Sequence, residues 1–320
     1  MKSILRLLAF VGIAVSGFTS CKKSINQQED QRGTVASISS VNGCKAIGLG
    51  VAVKDSPGDA MWENLLLKWF DSQGKIEHLK ADIYWFYQSP TINSRAFVLD
   101  YGEVTHVNDE VHVRDVLYNE EVFKVKLDDQ KRPVISWFDH HGRSQSTFRY
   151  DTSYYFYNSD NQLESVIVHR RDFIGGFGYI GGAGIFNMRF QYDPVGNLVE
   201  ANVPDGMFQF RYDYTRTNTG MVSNYLISVP IKLLEYLDLL KLNHHHQLHD
   251  VIWRPPQSGY FVLYWDYSNI ETNPFGQVTR YDGTTNGSPI STYYTAWDCG
   301  GNQTIQSKNP SQEEFMRLVH

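Results

Sequence analysis

The sequence contains no catalytic motif that stands out from its background. It has no Gly-x-Ser-x-Gly nucleophile elbow, no His-Glu-x-x-His zinc motif and no glycine loop followed by Lys-Ser/Thr. Its carboxylates are plentiful, but no pair of them has a spacing that marks an acid and a base. The enzyme classes that depend on these motifs therefore have no support in the residues, and no cofactor is predicted.

Positive charge, cysteine and long apolar runs are also scarce. The 320 residues carry 29 Lys and Arg against 35 Asp and Glu, a formal net charge of −6. That balance argues against a nucleic-acid partner, because such partners select basic surfaces. Beyond residue 18 no apolar stretch approaches the length of a membrane-spanning helix. The three cysteines are Cys21, Cys44 and Cys299.

The first 20 residues are typical of a secretory signal peptide. Lys2 and Arg6 precede an almost unbroken apolar run that ends near Phe18. The segment Phe-Thr-Ser-Cys21 resembles the lipobox of bacterial lipoproteins, and this resemblance implies cleavage before Cys21 and a lipid on its thiol. An ordinary signal peptide that is cut elsewhere is the alternative.

The polar segment 21–40 is predicted to be a disordered tether, because it has too few apolar groups to form a core. A β domain over 41–301 and a tail over 302–320 follow. A lipid on Cys21 would attach the protein to a membrane without a transmembrane helix, so we expect it in the cell envelope at the outer membrane. Cys44 and Cys299 are then left as a pair that an oxidising compartment allows to form a disulfide.

Turn signals divide the domain at regular intervals. The segment Tyr192-Asp-Pro-Val-Gly196 reads as a type I turn closed by a left-handed residue, with strands on both sides. Related aromatic-Asp/Asn signals recur about every 20 residues, which suits two strands and two turns per repeat. The predicted turn residues are Asp71, Gly74, Asp139, Gly142, Asn158, Asn161, Asp193 and Gly196, with a further turn of this class at Leu99–Gly102 and intervening turns at Asn108, Asp128 and Pro204–Gly206.

These repeats resemble a family of Gram-negative lipoproteins of unknown function built on degenerate YD repeats, the Tyr-Asp-x-x-Gly-x-Leu unit of Rhs-type proteins. The segment from Tyr192 to Leu198 is the closest match, and the resemblance spans about residues 45 to 300. The predicted fold is mainly β: a curled antiparallel meander of about 14 to 18 strands. A barrel of membrane-spanning strands is the alternative, although Arg170, Arg171 and Asp172 would interrupt its lipid-facing band.

Two helices are expected to interrupt or close the meander. Pro230 and leucines at helical spacing predict one helix at about 230–242, packed against the sheet. Ser311 and Glu314 resemble a capping box and predict a short C-terminal helix that docks through Phe315, Leu318 and Val319.

Two further stretches invite a chemical interpretation. His245 and His249 are four residues apart and would share a helix face, so they are the candidate metal ligands, with a polar loop as the alternative. The glycine-rich run from Gly175 to Gly184 lacks the features of a phosphate loop. It is interpreted as a hairpin tip, and a lid over a groove is the alternative.

The functional expectation is a binding or scaffolding module. Aromatic residues make up 14% of the chain. A curled sheet would gather some of them on a concave surface suited to a glycan, a peptide or an apolar ligand. An envelope hydrolase acting on glycan or peptide is the alternative.

Overall fold

A computed structural model describes most of the domain. The described residues are 44–56, 59–84, 95–141, 148–173, 184–194, 196, 198–203, 208–213, 228–240, 242, 247–253, 261–285, 288–300 and 303–319. All of them belong to one compact unit, Ala36–His320.

Sixteen strands and two helices make up the described chain. The first eight strands are β1 (Lys45–Ser56), β2 (Asp59–Phe70), β3 (Ile76–Tyr84), β4 (Arg95–Val107), β5 (Glu110–Asp115), β6 (Glu120–Leu127), β7 (Pro133–His141) and β8 (Phe148–Tyr157). The next eight are β9 (Leu163–Phe173), β10 (Gly184–Tyr192), β11 (Leu198–Val203), β12 (Phe208–Asp213), β13 (Gln247–Trp253), β14 (Phe261–Thr272), β15 (Val278–Thr285) and β16 (Ser288–Asp298). The helices are α1 (Val229–Tyr236), between β12 and β13, and α2 (Gln312–Val319), after β16.

Each strand pairs antiparallel with the next strand along the chain, which confirms the predicted meander. The first and last strands also pair, with Gly50 opposite Tyr294 and Lys45 opposite Asp298. The strands therefore form a closed ring that has an inner and an outer face. Because successive side chains alternate across a strand, neighbouring residues divide between these two faces.

Apolar side chains and helix α1 fill the inner face. One core joins α1 to strands all around the ring, through residues such as Leu49, Phe97, Phe138, Val166 and Tyr281. Helix α1 packs against both β3 and β7, which are well separated in the ring. The helix therefore lies inside the ring. In the described part of the chain, no helix is long and apolar enough to span a membrane.

Helix α1 is shorter than the sequence predicted. Ser228 caps it by accepting from the amide of Ile231, and the helix ends at Tyr236 rather than near residue 242. Asp238 adopts a left-handed conformation with φ of 60° and accepts a 2.8 Å hydrogen bond from Lys68 of β2. This buried ion pair follows the end of the helix directly. Leu240 and Leu242, further along the chain, are also part of the core.

The C-terminal segment covers the outer face where the ring closes. The predicted capping box forms, since Ser311 and Glu314 exchange hydrogen bonds with each other's backbone amides. The Phe315 ring lies above Gly48 and Gly50 of β1, and its centroid is 5.2 Å from that of Trp62. Trp69 donates to the carbonyl of Ile305, which fixes the preceding segment. We call this region the covered face. Its apolar residues are Ile47, Leu67, Ala296, Ile305, Phe315 and Val319, with Trp62, Trp69 and Tyr294 beside them.

Five tight turns share one geometry, and alternation of strand direction places them at the same end of the ring. In each turn the fourth residue has positive φ and donates to the carbonyl of the first. In four of the turns the first side chain also accepts from the amides two and four residues later. The first and fourth residues are Asp71 and Gly74, Asp128 and Lys131, Asn158 and Asn161, Asp193 and Gly196, and Asn273 and Gly276.

Two expected turns are strand residues instead. Asp139 lies within β7 opposite Tyr150, and pairing with β8 persists to His141, so the turn begins later than predicted. The predicted turn residue Gly142 lies outside the described residues, as does the predicted turn Pro204–Gly206. Asp100 belongs to the long strand β4, where a register irregularity opposite Leu79 and Ala81 takes the place of a turn. In both cases, continued pairing with a neighbouring strand overrides the local turn signal.

Candidate binding face

Large apolar side chains are exposed on the outer face of strands β7 to β10. Trp137 is 37% exposed, Phe156 45% and Ile185 67%. Each alternates with a neighbour that enters the inner core, such as Phe138 or Tyr155, so their outward direction follows from the pleat. We call this surface the aromatic face. Its apolar members are Ile135, Trp137, Tyr154, Phe156, Ile167 and Ile185.

The strand register makes the aromatic face continuous. Trp137 lies opposite Thr152, which lies opposite His169, which in turn lies opposite Ile185. The neighbouring row runs from Ile135 through Tyr154 and Ile167 to Asn187. Directly opposed residues have Cβ atoms about 4.5–5.5 Å apart, so each row is a contact series about 15 Å wide.

Polar contacts on the inner face hold these four strands together. Ser136 of β7 and the Tyr155 hydroxyl of β8 are 2.8 Å apart. Arg170 of β9 donates to Asp151 of β8 at 3.0 Å, and its guanidinium lies 4.9 Å from the Phe186 ring centre of β10. Burial raises the pKa of Tyr155, so its hydroxyl stays protonated. The outer surface is therefore supported by strands that are also joined through their inner-face side chains.

Charged groups lie at the rim of the aromatic face. On the β5–β6 side, Lys124 donates to Glu110 at 2.8 Å and lies 5.4 Å from the Trp137 ring centre. The Lys124 hydrogen bond is the main reason that the pKa of Glu110 lies below its usual value. Both ring nitrogens of His112 lie within 3.2 Å of a carboxylate oxygen, on Glu110 and on Glu121. These contacts leave charges of both signs balanced at this rim.

The centre of the aromatic face is polar, and the exposed Arg189, which lies opposite Ser165, is the charged residue that borders it on β10. Thr152, Ser165 and Asn187 lie between the apolar side chains. The Asn187 side-chain carbonyl is shielded from water and has no hydrogen-bond partner among the described residues. His169 is exposed, and its ring meets the Tyr154 ring edge-on at 5.2 Å. The face therefore combines aromatic surface with neutral hydrogen-bonding groups.

Of the two histidines that the sequence suggested as metal ligands, His249 lies in β13, which pairs with β12 and β14, and His245 falls outside the described residues. A helix that includes His249 is wrong, because strand pairing fixes residues 247–253 as extended backbone. Among the described residues, no group of three or more His, Cys, Asp or Glu is arranged to hold a metal ion.

The cysteines of the domain meet where the ring closes. Cys44 precedes β1, Cys299 follows β16, and a disulfide joins them across 255 residues of sequence. Cys44 is fully buried beside Ala46 and Trp297. Cys21 and the signal segment lie outside the described residues, as does most of the glycine-rich run between β9 and β10.

The sequence predicted exposed aromatic side chains on the concave, inner side of the sheet. In the described strands they lie on the outer side. Helix α1 and the apolar core occupy the inner side, so exposed rings are found on the outer face instead. The available signal was the run of apolar residues on both faces of β7 and β8, which exceeds what one buried face requires.

The buried carboxylates of the described residues have structural partners. Asp151 is bonded to Arg170, and Asp115 accepts from the amide of Leu117 in the β5–β6 turn. Asp82 lies 3.5 Å from the ammonium group of Lys80. These contacts give each of the three carboxylates a structural role in the sheet or in a turn.

No protein-family model matches the sequence, and no curated protein is detectably similar to it. Among solved structures, the chain is similar to a porin-like protein from Bacteroides vulgatus, with a TM-score of 0.49 and 11% identity over 79% of this chain and 98% of that one. A porin-like protein from Bacteroides uniformis gives a TM-score of 0.48 and 11% identity over 80% of this chain and 97% of that one. With TM-scores below 0.5, these likenesses carry no argument about function.

Proposed function

We propose that the protein is a lipid-anchored binding or scaffolding module of the cell envelope, at the outer membrane, and a member of the YD-repeat lipoproteins that it resembles. Its ligand contacts the aromatic face of β7 to β10. The lipobox-like segment before Cys21 and the polar tether support the anchoring. The observation that carries the binding role is the continuous aromatic face, whose Trp137, Phe156 and Ile185 are exposed.

Exposed apolar surface of this kind is informative because most proteins bury or cover it. Isolated exposed hydrophobic residues are common, whereas the largest contiguous apolar patch of a monomer, about 300–600 Å², is often functional. Here the exposed aromatic side chains lie on the same face of paired strands, and inner-face contacts join those strands. Preorganisation of this type lowers the entropic cost of binding.

The alternative of an envelope hydrolase gains no support from the described residues. Hydrolysis of glycans requires two carboxylates that flank the scissile bond. The buried carboxylates Asp82, Asp115 and Asp151 are instead engaged in ion pairs or turn hydrogen bonds. We therefore propose binding without catalysis.

Anchoring is tested by lipoprotein processing in the native host. Inhibition of the lipoprotein signal peptidase should cause the precursor to accumulate, and Cys21→Ser should release the protein from membranes. Unchanged processing, together with membrane fractionation of the Cys21→Ser variant, would show that the anchoring proposal is wrong.

Ligand contact is tested by photocrosslinking in cells. A benzophenone side chain at position 156 inserts into nearby C–H bonds and should give an adduct with the bound ligand. The same group at position 275 is the matched control, because Phe275 is also 50% exposed but lies in the β14–β15 turn. Equal adduct formation at both positions, or none at either, would contradict a binding role for the aromatic face.

A further inference from the structure

We propose that the aromatic face binds a neutral polysaccharide chain, stacked across β7 to β10. This inference rests on the binding role proposed above and specifies its ligand class. It depends on the shape of the face, its exposed area and the charges around it.

Shape argues for an extended ligand. The rows through Trp137 and Tyr154 lie on regularly paired strands, and no register shift interrupts the β7–β8 or β9–β10 pairing there. Such a surface is open, whereas sites for small molecules are concave and bury most of the ligand. A chain that crosses several rings can collect contacts that a single small molecule cannot make on an open face.

Exposed area argues against a stable protein partner. The uncovered fractions of Trp137, Phe156 and Ile185 together expose roughly 300 Å², given about 150–250 Å² for a large side chain. A stable protein–protein interface buries about 800 Å² on each partner, of which about 450 Å² is apolar. The patch is therefore small for a second copy of the chain, but it is adequate for the narrow contact strip of a polymer.

Charge argues for a neutral ligand with hydroxyl groups. At the rim, Lys124 pairs with Glu110, so charges of both signs offset each other there and attract neither an anionic nor a cationic polymer. At the centre, the hydroxyls of Thr152 and Ser165 can donate to and accept from hydroxyl groups of a ligand. Sugar rings present apolar C–H faces to aromatic rings and hydroxyl groups at their edges, which matches this alternation.

Affinity gel electrophoresis of the mature, detergent-solubilised lipoprotein provides the test. The gels contain hydroxyethylcellulose, laminarin, pullulan or galactomannan as neutral probes, and polygalacturonate as the anionic one. We expect at least one neutral probe to slow migration. Trp137→Ala and Phe156→Ala should each weaken this retardation about tenfold, which corresponds to about 1.4 kcal/mol. Phe275→Ala, the matched exposed aromatic outside the face, should behave as wild type.

Several outcomes would overturn the proposal. These are the absence of retardation by every neutral probe, stronger retardation by polygalacturonate, or retardation that Trp137→Ala and Phe156→Ala leave unchanged. If light scattering detected a dimer that Ile185→Ser dissociates, the occupant of the aromatic face would be a second copy of the chain and not a polysaccharide. A discrete protein adduct from position 156, without polysaccharide retardation, would overturn the ligand class while leaving the binding role intact. Absence of any adduct would instead remove the binding role itself.

Discussion

Two regions of the outer face carry clusters of large apolar side chains, and their environments differ. On the covered face, Phe315 is fully buried over β1, and the C-terminal segment encloses Trp62 and Trp69. On the aromatic face, Trp137 and Phe156 have no comparable cover among the described residues. Within the described residues, the chain thus covers one set of outer apolar side chains and leaves the other set exposed.

The difference separates a structural role from a binding role for similar residues. Aromatic side chains beneath α2 contribute to closure of the ring, because burial of their surface stabilises the pairing of β1 with β16. Exposed aromatic side chains on β7 to β10 contribute little to folding. Mutations in the two regions should therefore divide cleanly between stability and binding.

The largest expected effect lies at the closure itself. Replacement of both Cys44 and Cys299 by alanine removes a crosslink across 255 residues. The chain-entropy model assigns such a crosslink up to about 5 kcal/mol. We expect a much lower urea midpoint, measured against oxidised wild type. Non-reducing peptide mapping should find the Cys44–Cys299 peptide in wild type, and a free thiol at either cysteine would contradict the prediction.

A matched pair of phenylalanines compares the two regions directly. Phe315→Ala removes a fully buried ring, and we expect it to lower the free energy of unfolding by about 3–5 kcal/mol. Phe156→Ala, on the aromatic face, should change it by no more than about 0.5 kcal/mol. Urea unfolding at fixed pH measures both. Equal destabilisation by the two variants would show that the aromatic face is a hidden part of the core.

A smaller effect is expected from the close packing beneath α2. A Cβ atom at Gly50 would overlap the Trp62 ring and press on Phe315. We expect Gly50→Ala to lower the free energy of unfolding by about 1–3 kcal/mol through overpacking. The control is Gly184→Ala near the aromatic face, where the nearest atom to a new Cβ is 3.5 Å away on Phe186. If Gly50→Ala proved as stable as Gly184→Ala, the tight docking of Phe315 would be wrong.

The smallest effect concerns the turn that joins β6 to β7, at the end of the aromatic face. Burial raises the pKa of Asp128, but hydrogen bonds from Arg132 outweigh this and hold the pKa below its usual value. A carboxyl whose pKa is lower in the folded state stabilises the protein above its unfolded pKa of about 3.9, and this contribution is lost as pH falls further.

Asp128→Asn should therefore be less stable than wild type at pH 7 by under about 1 kcal/mol, and the difference should narrow at pH 3. The neighbouring exposed residue supplies the control, Asp129→Asn. Urea midpoints of both variants at the two pH values provide the comparison. If the stability difference between Asp128→Asn and wild type were larger at pH 3 than at pH 7, the pKa of Asp128 would not be lowered in the folded protein.

Local signals predicted the turns better than they predicted the faces. Asp71, Asn158 and Asp193 begin turns as expected, because side-chain acceptors and a left-handed fourth residue act within five residues. The Asn273-Pro-Phe-Gly276 turn has the same spacing as Asp193-Pro-Val-Gly196, yet it was missed. The Asp/Asn-Pro-x-Gly pattern that predicted the turn at Asp193 would also have predicted this one.

The location of the candidate site depended on long-range structure. The pattern around Trp137 and Phe138 shows that the two side chains point in opposite directions, but not which direction is inward. That choice is made by ring closure through β1 and β16 and by α1, which lies far along the chain. Likewise, the sequence predicted the stripe of α2 but not the glycines of β1 on which Phe315 docks.

Residue-resolved hydroxyl-radical footprinting of the mature protein tests the central claim most directly, because oxidation rates follow side-chain exposure. Two pairs of equal chemistry give the comparison: Phe156 with Phe315, and Trp137 with Trp297, which is 5% exposed. The predicted result is oxidation of Phe156 and Trp137 several-fold faster than of their buried counterparts. Equal protection of all four residues in the free protein would contradict an open aromatic face.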